Sequence, residues 1–397
     1  MKSMQEFLLE FLENEKEKEE DKVFGHLINY LDNQKISRDR CNLKCFLRLI
    51  LNVTNDHNQP FVFMKKIGRI FKSIHGSITQ FFSNWDIFEI FKSNKRIILL
   101  LFDEKILLPD KQIYYVIIND TYKTNFYPEY FFIEFESYFN DKLKKKIISN
   151  ISEDNDINYQ IYSEKRQKGI NDNYICELIQ NDAVEDFISY VNRRNISLTS
   201  TIPDSIYETN SMLLNSETLP TLIEYAAFYG SIQIIQFLKN FVEPTTSLMK
   251  YAIHSNNAEL IHLVEELLDN GAYKDNLLIE CYIESIKCHH INIMNYIKKF
   301  IDKPLNYNEI ILQDIVSYNF IDIHDLINKN LIKMQELLIL DFSYRLFYIK
   351  YFFTYDWIPV VDFYIKNLEE IKKIHQYWIS LLLFIKKIMF LLIIIFI

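Results

Sequence analysis

The chain has 397 residues, of which 49% are hydrophobic and 15% aromatic, enough for a large folded core and too apolar for a disordered chain. Six glycines and eight prolines are too few for a turn-dense all-β fold or a glycine-rich nucleotide loop, which leaves helices. The net charge of −9, with both signs interspersed, offers no positive surface for phosphate backbones, so no nucleic acid partner is expected.

The first stretch, MKSMQEFLLEFLENEKEKEEDK, is too acidic for a secretory leader, and Glu10 breaks its apolar run. Phe7, Leu8, Phe11 and Leu12 lie on one side of an amphipathic helix, and the alternating charges of 13–22 predict a solvated helical face. Helical spacing continues at 23–31 and 43–51, and 52–60 reads as a loop. A further helix is expected over Phe63, Ile67, Ile70, Phe71 and Ile74, broken by Gly76. A second apolar stripe follows at Ile78, Phe81, Trp85, Phe88 and Phe91. Residues 93–118 read as turn, helix, loop at Pro109 and helix, and 127–146 as one aromatic helix whose basic run, 142–146, complements its C-terminus. Residues 1–150 are thus a helical N-terminal region of hairpins, itself compatible with degenerate repeats. The polar stretch 151–170 predicts a linker or loop.

Residues 171–366 carry a periodic pattern. In TLIEYAAFYGSIQIIQFL (221–238), Thr221 is an N-cap and Ala226 and Ala227 permit close helix approach. Gly230 ends the helix in a left-handed turn, and Ile232, Ile235 and Leu238 form one face of the next. Shifted by 26, SLMKYAIHSNNAELIHLV (247–264) matches without a gap, Tyr251 under Tyr225 and Asn256 under Gly230. Weaker copies occur at 284–297, 314–327 and 355–365, and an early one at 172–192. From Ile232 through Ala258, Ile291 and Ile321 to Ile358 the mean step is 31.5 residues. His290 and Phe320 then fall where glycine is expected. A helix pair of this size cannot bury its apolar face alone, so neighbours of the same kind are required. Tyr225 and Tyr251 are placed as packing residues between repeats, and 193–219, with Pro203, as an insertion looping out from one side to carry binding specificity.

These residues bring a family into view. TLIEYAAFYG resembles the ankyrin signature T-P-L-H-x-A-A-x-x-G, and SIQIIQFL resembles the helix that follows it. The Tyr before the paired Ala and the KCHH of 287–290 are similar to the large protist families of divergent ankyrin-repeat proteins of unknown function. The likeness extends upstream through NDNYICELIQ and 206–210. Leu222 and Glu224 replace the Pro and His of the usual turn. The resemblance implies an all-α, ankyrin-type helical repeat solenoid that binds another protein without catalysis. Specificity would come from projecting turns at 240–246, 269–274 and 302–308. The polar residues there, Asn240, Glu243, Asp269, Asn270, Lys274, Asp302, Lys303 and Asn306, are the candidate partner contacts.

The tail, 367–397, ends in YWISLLLFIKKIMFLLIIIFI, interrupted only by Ser380, Lys386 and Lys387. Three readings stand: a membrane-spanning helix through 377–397, the last helices of the array, or the end of a truncated frame. About −7 kcal/mol from the apolar residues nearly balances about +6 from two central lysines. The first makes the protein a tail-anchored adaptor with a cytoplasmic array. Five widely spaced cysteines predict free thiols in a reducing compartment. No phosphate loop, dinucleotide fingerprint, nucleophile elbow or H-E-x-x-H occurs, so no catalytic residue and no cofactor is assigned. Cys281 with Cys288, His289 and His290 is the best metal candidate, but adjacent side chains at a turn point apart, so no metal is assigned either. Cys41 and Cys45 share a helical face without a second pair and read as buried structural thiols.

Overall fold

The computed structural model describes residues 1–322 apart from 15, 58–60, 120–124, 153–155, 215–218, 269–273 and 302–306. The chain divides into units Met1–Ile339 and Leu340–Ile397, and every described residue lies in the first. The repeat copy at 355–365 and the tail at 367–397 fall outside the described residues. What is described is all-helical; the one β-type contact is an isolated bridge between Thr201 and Thr221. No described helix is long and apolar enough to cross a membrane.

The N-terminal helices are α1 (Lys2–Glu13), α2 (Glu17–Asn33), α3 (Arg40–Asp56), α4 (Phe61–Phe81), α5 (Asn84–Phe91), α6 (Lys95–Asp103) and α7 (Lys111–Ile117). Each start is written locally. Asp39, Asn94 and Asp110 accept backbone N–H groups of the first turns of α3, α6 and α7, and Ser83 forms a capping box with Asp86 at α5. The predicted break at Gly76 does not occur. Helix α4 runs through it, because an exposed glycine costs only about 1 kcal/mol while Ile67, Ile70, Phe71, Ile74 and Ile78 are buried together. Helix α3 packs on α4 and α5, and α5 on α6 and α7, so alternate helices adjoin as they do further along the chain.

Two further readings are corrected. The single helix over 127–146 is broken into Tyr127–Tyr130, Phe132–Phe135, a 3-10 turn and Asp141–Ile151. The last is capped by Asn140, so the basic run sits at a helix start and owes nothing to a C-terminal dipole. The predicted linker is helical over Tyr159–Lys168 and is bolted into the core. Buried Arg166 donates to the Tyr130 carbonyl (2.9 Å) and to Glu134 (2.7 Å), and the Tyr130 hydroxyl donates back to the Arg166 carbonyl (2.8 Å). A polar composition marked these residues as surface; hydrogen bonds to the Tyr130 carbonyl and Glu134 let Arg166 be buried, and Tyr162 is buried beside it, while most of the helix stays exposed.

Helix pairs follow: Tyr174–Gln180 with Val184–Arg194, Leu222–Tyr229 with Ile232–Leu238, Ser247–His254 with Ala258–Leu268, and Lys274–Lys287 with Ile291–Lys298; Tyr307–Ser317 leads a fifth. Each leading helix packs on the next in sequence order, and each trailing helix packs on its own leader. Ala226, Ala227 and Ala252 are fully buried at these contacts. Tyr225 is buried and its hydroxyl accepts from Gln180 Nε2 of the preceding pair (2.8 Å).

The turn inside each pair is one device made from five residue types. Asp182, Gly230, Asn256, His289 and Tyr318 all adopt positive φ, between 49° and 75°. In four of them the following N–H returns to a carbonyl five residues back, the Schellman closure. The left-handed residues are therefore His289 and Tyr318, one and two positions before the expected His290 and Phe320. The insertion is also corrected. Residues 193–201 stay at the surface, but the later part folds into the body: Ile202, Tyr207, Glu208, Thr209 and Asn210 are buried, and Glu208 accepts three backbone N–H groups, from Asn171, Thr209 and Asn210.

Candidate functional site

Helix α3 ends inside the protein. A helix leaves its last carbonyls without intrahelical donors, and here other parts of the chain supply them. Ser211 Oγ donates to the Asn55 carbonyl (3.3 Å) and Asn210 Nδ2 to the His57 carbonyl (3.3 Å). His254 Nδ1 lies 2.6 Å from the Asp56 carbonyl. On its other side His254 Nε2 meets Glu284 Oε1 at 3.0 Å, and Lys287 donates to the second oxygen at 3.0 Å. Both ring nitrogens of His254 face oxygen acceptors. Burial alone would raise the Glu284 carboxyl, but the hydrogen bond and charge of His254, with the Lys287 ammonium, outweigh it and hold it at about 2.

A second group of imidazoles lies alongside. His289 Nδ1 accepts from the Nε2 of fully buried Gln5 (2.8 Å), which also donates to Asn319 Oδ1 (3.1 Å); Gln5 Oε1 accepts from Ile321 N–H (3.0 Å). One side chain of α1 thus ties two successive turns of the array. Burial, then the neighbouring His57 ring, holds His289 down at about 3, so the ring is neutral. His290 faces the other way, its ring 4.7 Å from that of His57 and edge-on to it. His57 in turn stacks on Phe63 at 5.7 Å. Both are buried, and no ring nitrogen of either makes a hydrogen bond; Glu13 Oε1 stands 3.6 Å from His57 Nε2. Burial, followed by the three nearby histidines, pushes His290 well below its ordinary range.

Two trios have ligand atoms within 4.8 Å of one another: Glu13 with His57 and His290, and His254 with Glu284 and Cys288. Cys288, His289 and His290 therefore serve three different neighbourhoods, as their adjacency at a turn requires. What their spacing did not reveal was the partner, His57, far upstream in the run NDHNQP. Burial pushes the Cys288 thiol well above its ordinary value, as it does Cys281, lifted to about 12, so neither is a ready nucleophile. All five thiols are free. The small cavity beside Arg96, Gly169 and Glu208 has about 10 Å³ of room, enough for one water.

Of the residues assigned to partner contact, Asn240 and Glu243 are exposed at the turn after Ile232–Leu238. The Asn240 amide is engaged locally, donating to the Gln236 and Phe237 carbonyls. Lys274 begins the helix Lys274–Lys287 rather than sitting in a turn. Asp269, Asn270, Asp302, Lys303 and Asn306 lie outside the described residues. Sequence reading passed over two aromatics beside these turns. Phe241 and Phe300 stand eleven residues after Gly230 and His289 and are 62% and 47% exposed. Each rests on an aromatic one turn earlier, Phe237 at 5.0 Å and Tyr296 at 4.9 Å. Comparison with family models, curated proteins and solved structures gave no match for this chain.

Proposed function

We propose that the chain is a non-enzymatic protein-binding scaffold of the ankyrin type, whose stacked helix pairs present the ends of their trailing helices to another protein. The observation that carries this reading is the recurrence of Phe241 and Phe300, large aromatics left exposed at one register of two different pairs. At the same register the pair between them has half-buried Leu267. A core residue has no reason to repeat on the outside; exposed aromatics flanked by polar turns are what interface centres are made of. The leading-helix side supports the choice of face, because at the fourth pair it packs on α3.

The test is affinity capture with the full chain as bait, beside a Phe241→Ser/Phe300→Ser variant, read by mass spectrometry. Both positions are exposed, so the variant should fold. Proteins enriched by the first bait and lost from the second support the reading; identical sets from both baits refute it. A membrane-attached form of this scaffold rests on the apolar run of 377–397, and carbonate extraction of the full chain with and without that run decides it.

A further inference from the structure

Three elements distant in sequence converge at one point: the last residue of α1, the residue after α3, and the residue before Ile291–Lys298. They bring Glu13, His57 and His290 together with ligand atoms within 4.8 Å of one another. We propose that these three side chains bind a single divalent ion of the Zn2+ class, clamping α1 and α3 to the fourth helix pair.

The chemistry starts from an unsatisfied donor. A neutral imidazole carries one N–H, and burying it unpaired costs about 1–3 kcal/mol. Here the imidazoles of His57 and His290 are buried side by side, and none of their four nitrogens meets a partner at hydrogen-bond geometry. Two imidazoles kept only for packing would be expected as Phe or Leu, as with Phe63 beside them. Two histidines and one carboxylate are a ligand set for Zn2+, with the fourth position open to water. Tetrahedral coordination at about 2.0–2.1 Å puts ligand atoms roughly 3.3 Å apart. The His57–Glu13 distance is already 3.6 Å, and Glu13, with its side chain 47% exposed, is free to swing inward. The neighbouring trio is the weaker site, because His254, Glu284 and Lys287 already satisfy one another and a cation would have to break those bonds.

The experiment uses the full chain, stripped with EDTA and titrated with ZnCl2 by calorimetry and thermal unfolding, then with CoCl2 for the visible absorption of the bound ion. The proposal expects one Zn2+ per chain, a melting temperature that rises with Zn2+, and a tetrahedral Co2+ spectrum. Glu13→Gln should weaken binding at least 10-fold, and His57→Phe should abolish it. Cys288→Ser should bind as the wild type does. Absence of saturable binding overturns the proposal, as does equal affinity in wild type and Glu13→Gln, or loss of binding in Cys288→Ser alone. Should His57→Phe fail to fold, Glu13→Gln, on an exposed side chain, decides the matter.

Discussion

Replacing Gln5 by leucine tests whether α1 is a structural part of the array or an appendage. Gln5 is fully buried, and its amide makes three hydrogen bonds to the turns at 289 and 319–321. Leucine fills much of the volume and makes none of them. Asn319 Oδ1 keeps a second donor, the Asp322 N–H at 3.3 Å. His289 Nδ1 and the Ile321 N–H are left without a partner. Orphaned buried groups cost about 1–3 kcal/mol each, so the loss should be about 2–4 kcal/mol after the apolar gain of leucine. Urea unfolding followed by circular dichroism measures it, with the midpoint falling and the slope unchanged. Exchange protection of amides around 289 and 319–321 should fall with it. A loss below about 0.5 kcal/mol, with protection intact, would mean that α1 does not hold these turns and that the reasoning is wrong.

Acid should weaken the seam at the end of α3. The Glu284 carboxyl is held at about 2 against an ordinary 4.5, so the folded state binds its proton less readily than the unfolded chain. That stabilisation, about 3 kcal/mol at most, is complete above pH 4.5 and is lost as pH falls from there towards 2. Melting temperatures of wild type and Glu284→Gln should therefore converge between pH 5 and 3, with His254, Lys287 and Asp56 unchanged in both; parallel curves would count against the pairing. At the turns, Gly230→Ala should cost about 1–2 kcal/mol through its φ of 75° alone, since the nearest atom to an added Cβ, Ser255 Cβ, is 3.6 Å away. Asn256→Gly, at φ 53°, should be neutral or stabilising in the same unfolding assay.

Local rules were enough to read the helix pairs. Thr221 caps its helix through a full capping box with Glu224, so the glutamate that departs from the ankyrin spelling has its own work. Gly230 turns left-handed, and the apolar positions that share a face share a core. Such features depend on residues three to five apart, and periodicity reports them. Where the sequence was polar or carried no glycine, reading by type failed. His289 and Tyr318 accept φ near 58°, a conformation costly for a bare residue, because packing and the returning N–H bonds around them over-determine the turn. Arg166 and Glu208 look like surface residues until the carbonyl that takes the Arg166 guanidinium and the N–H groups that surround Glu208 are in place.

Chain order and residue chemistry alone determined that this protein is helical, that its helices from 174 onward come in pairs, and that Ala226, Ala227 and Ala252 lie where helices touch. Only the tertiary structure decided that α1 and α3 pack on the helix pairs, that 205–213 turns inward, and that His57 meets His290. Contacts within a turn are encoded by the residues of that turn. A meeting between segments hundreds of residues apart depends on the summed geometry of every helix between them, which no local pattern carries.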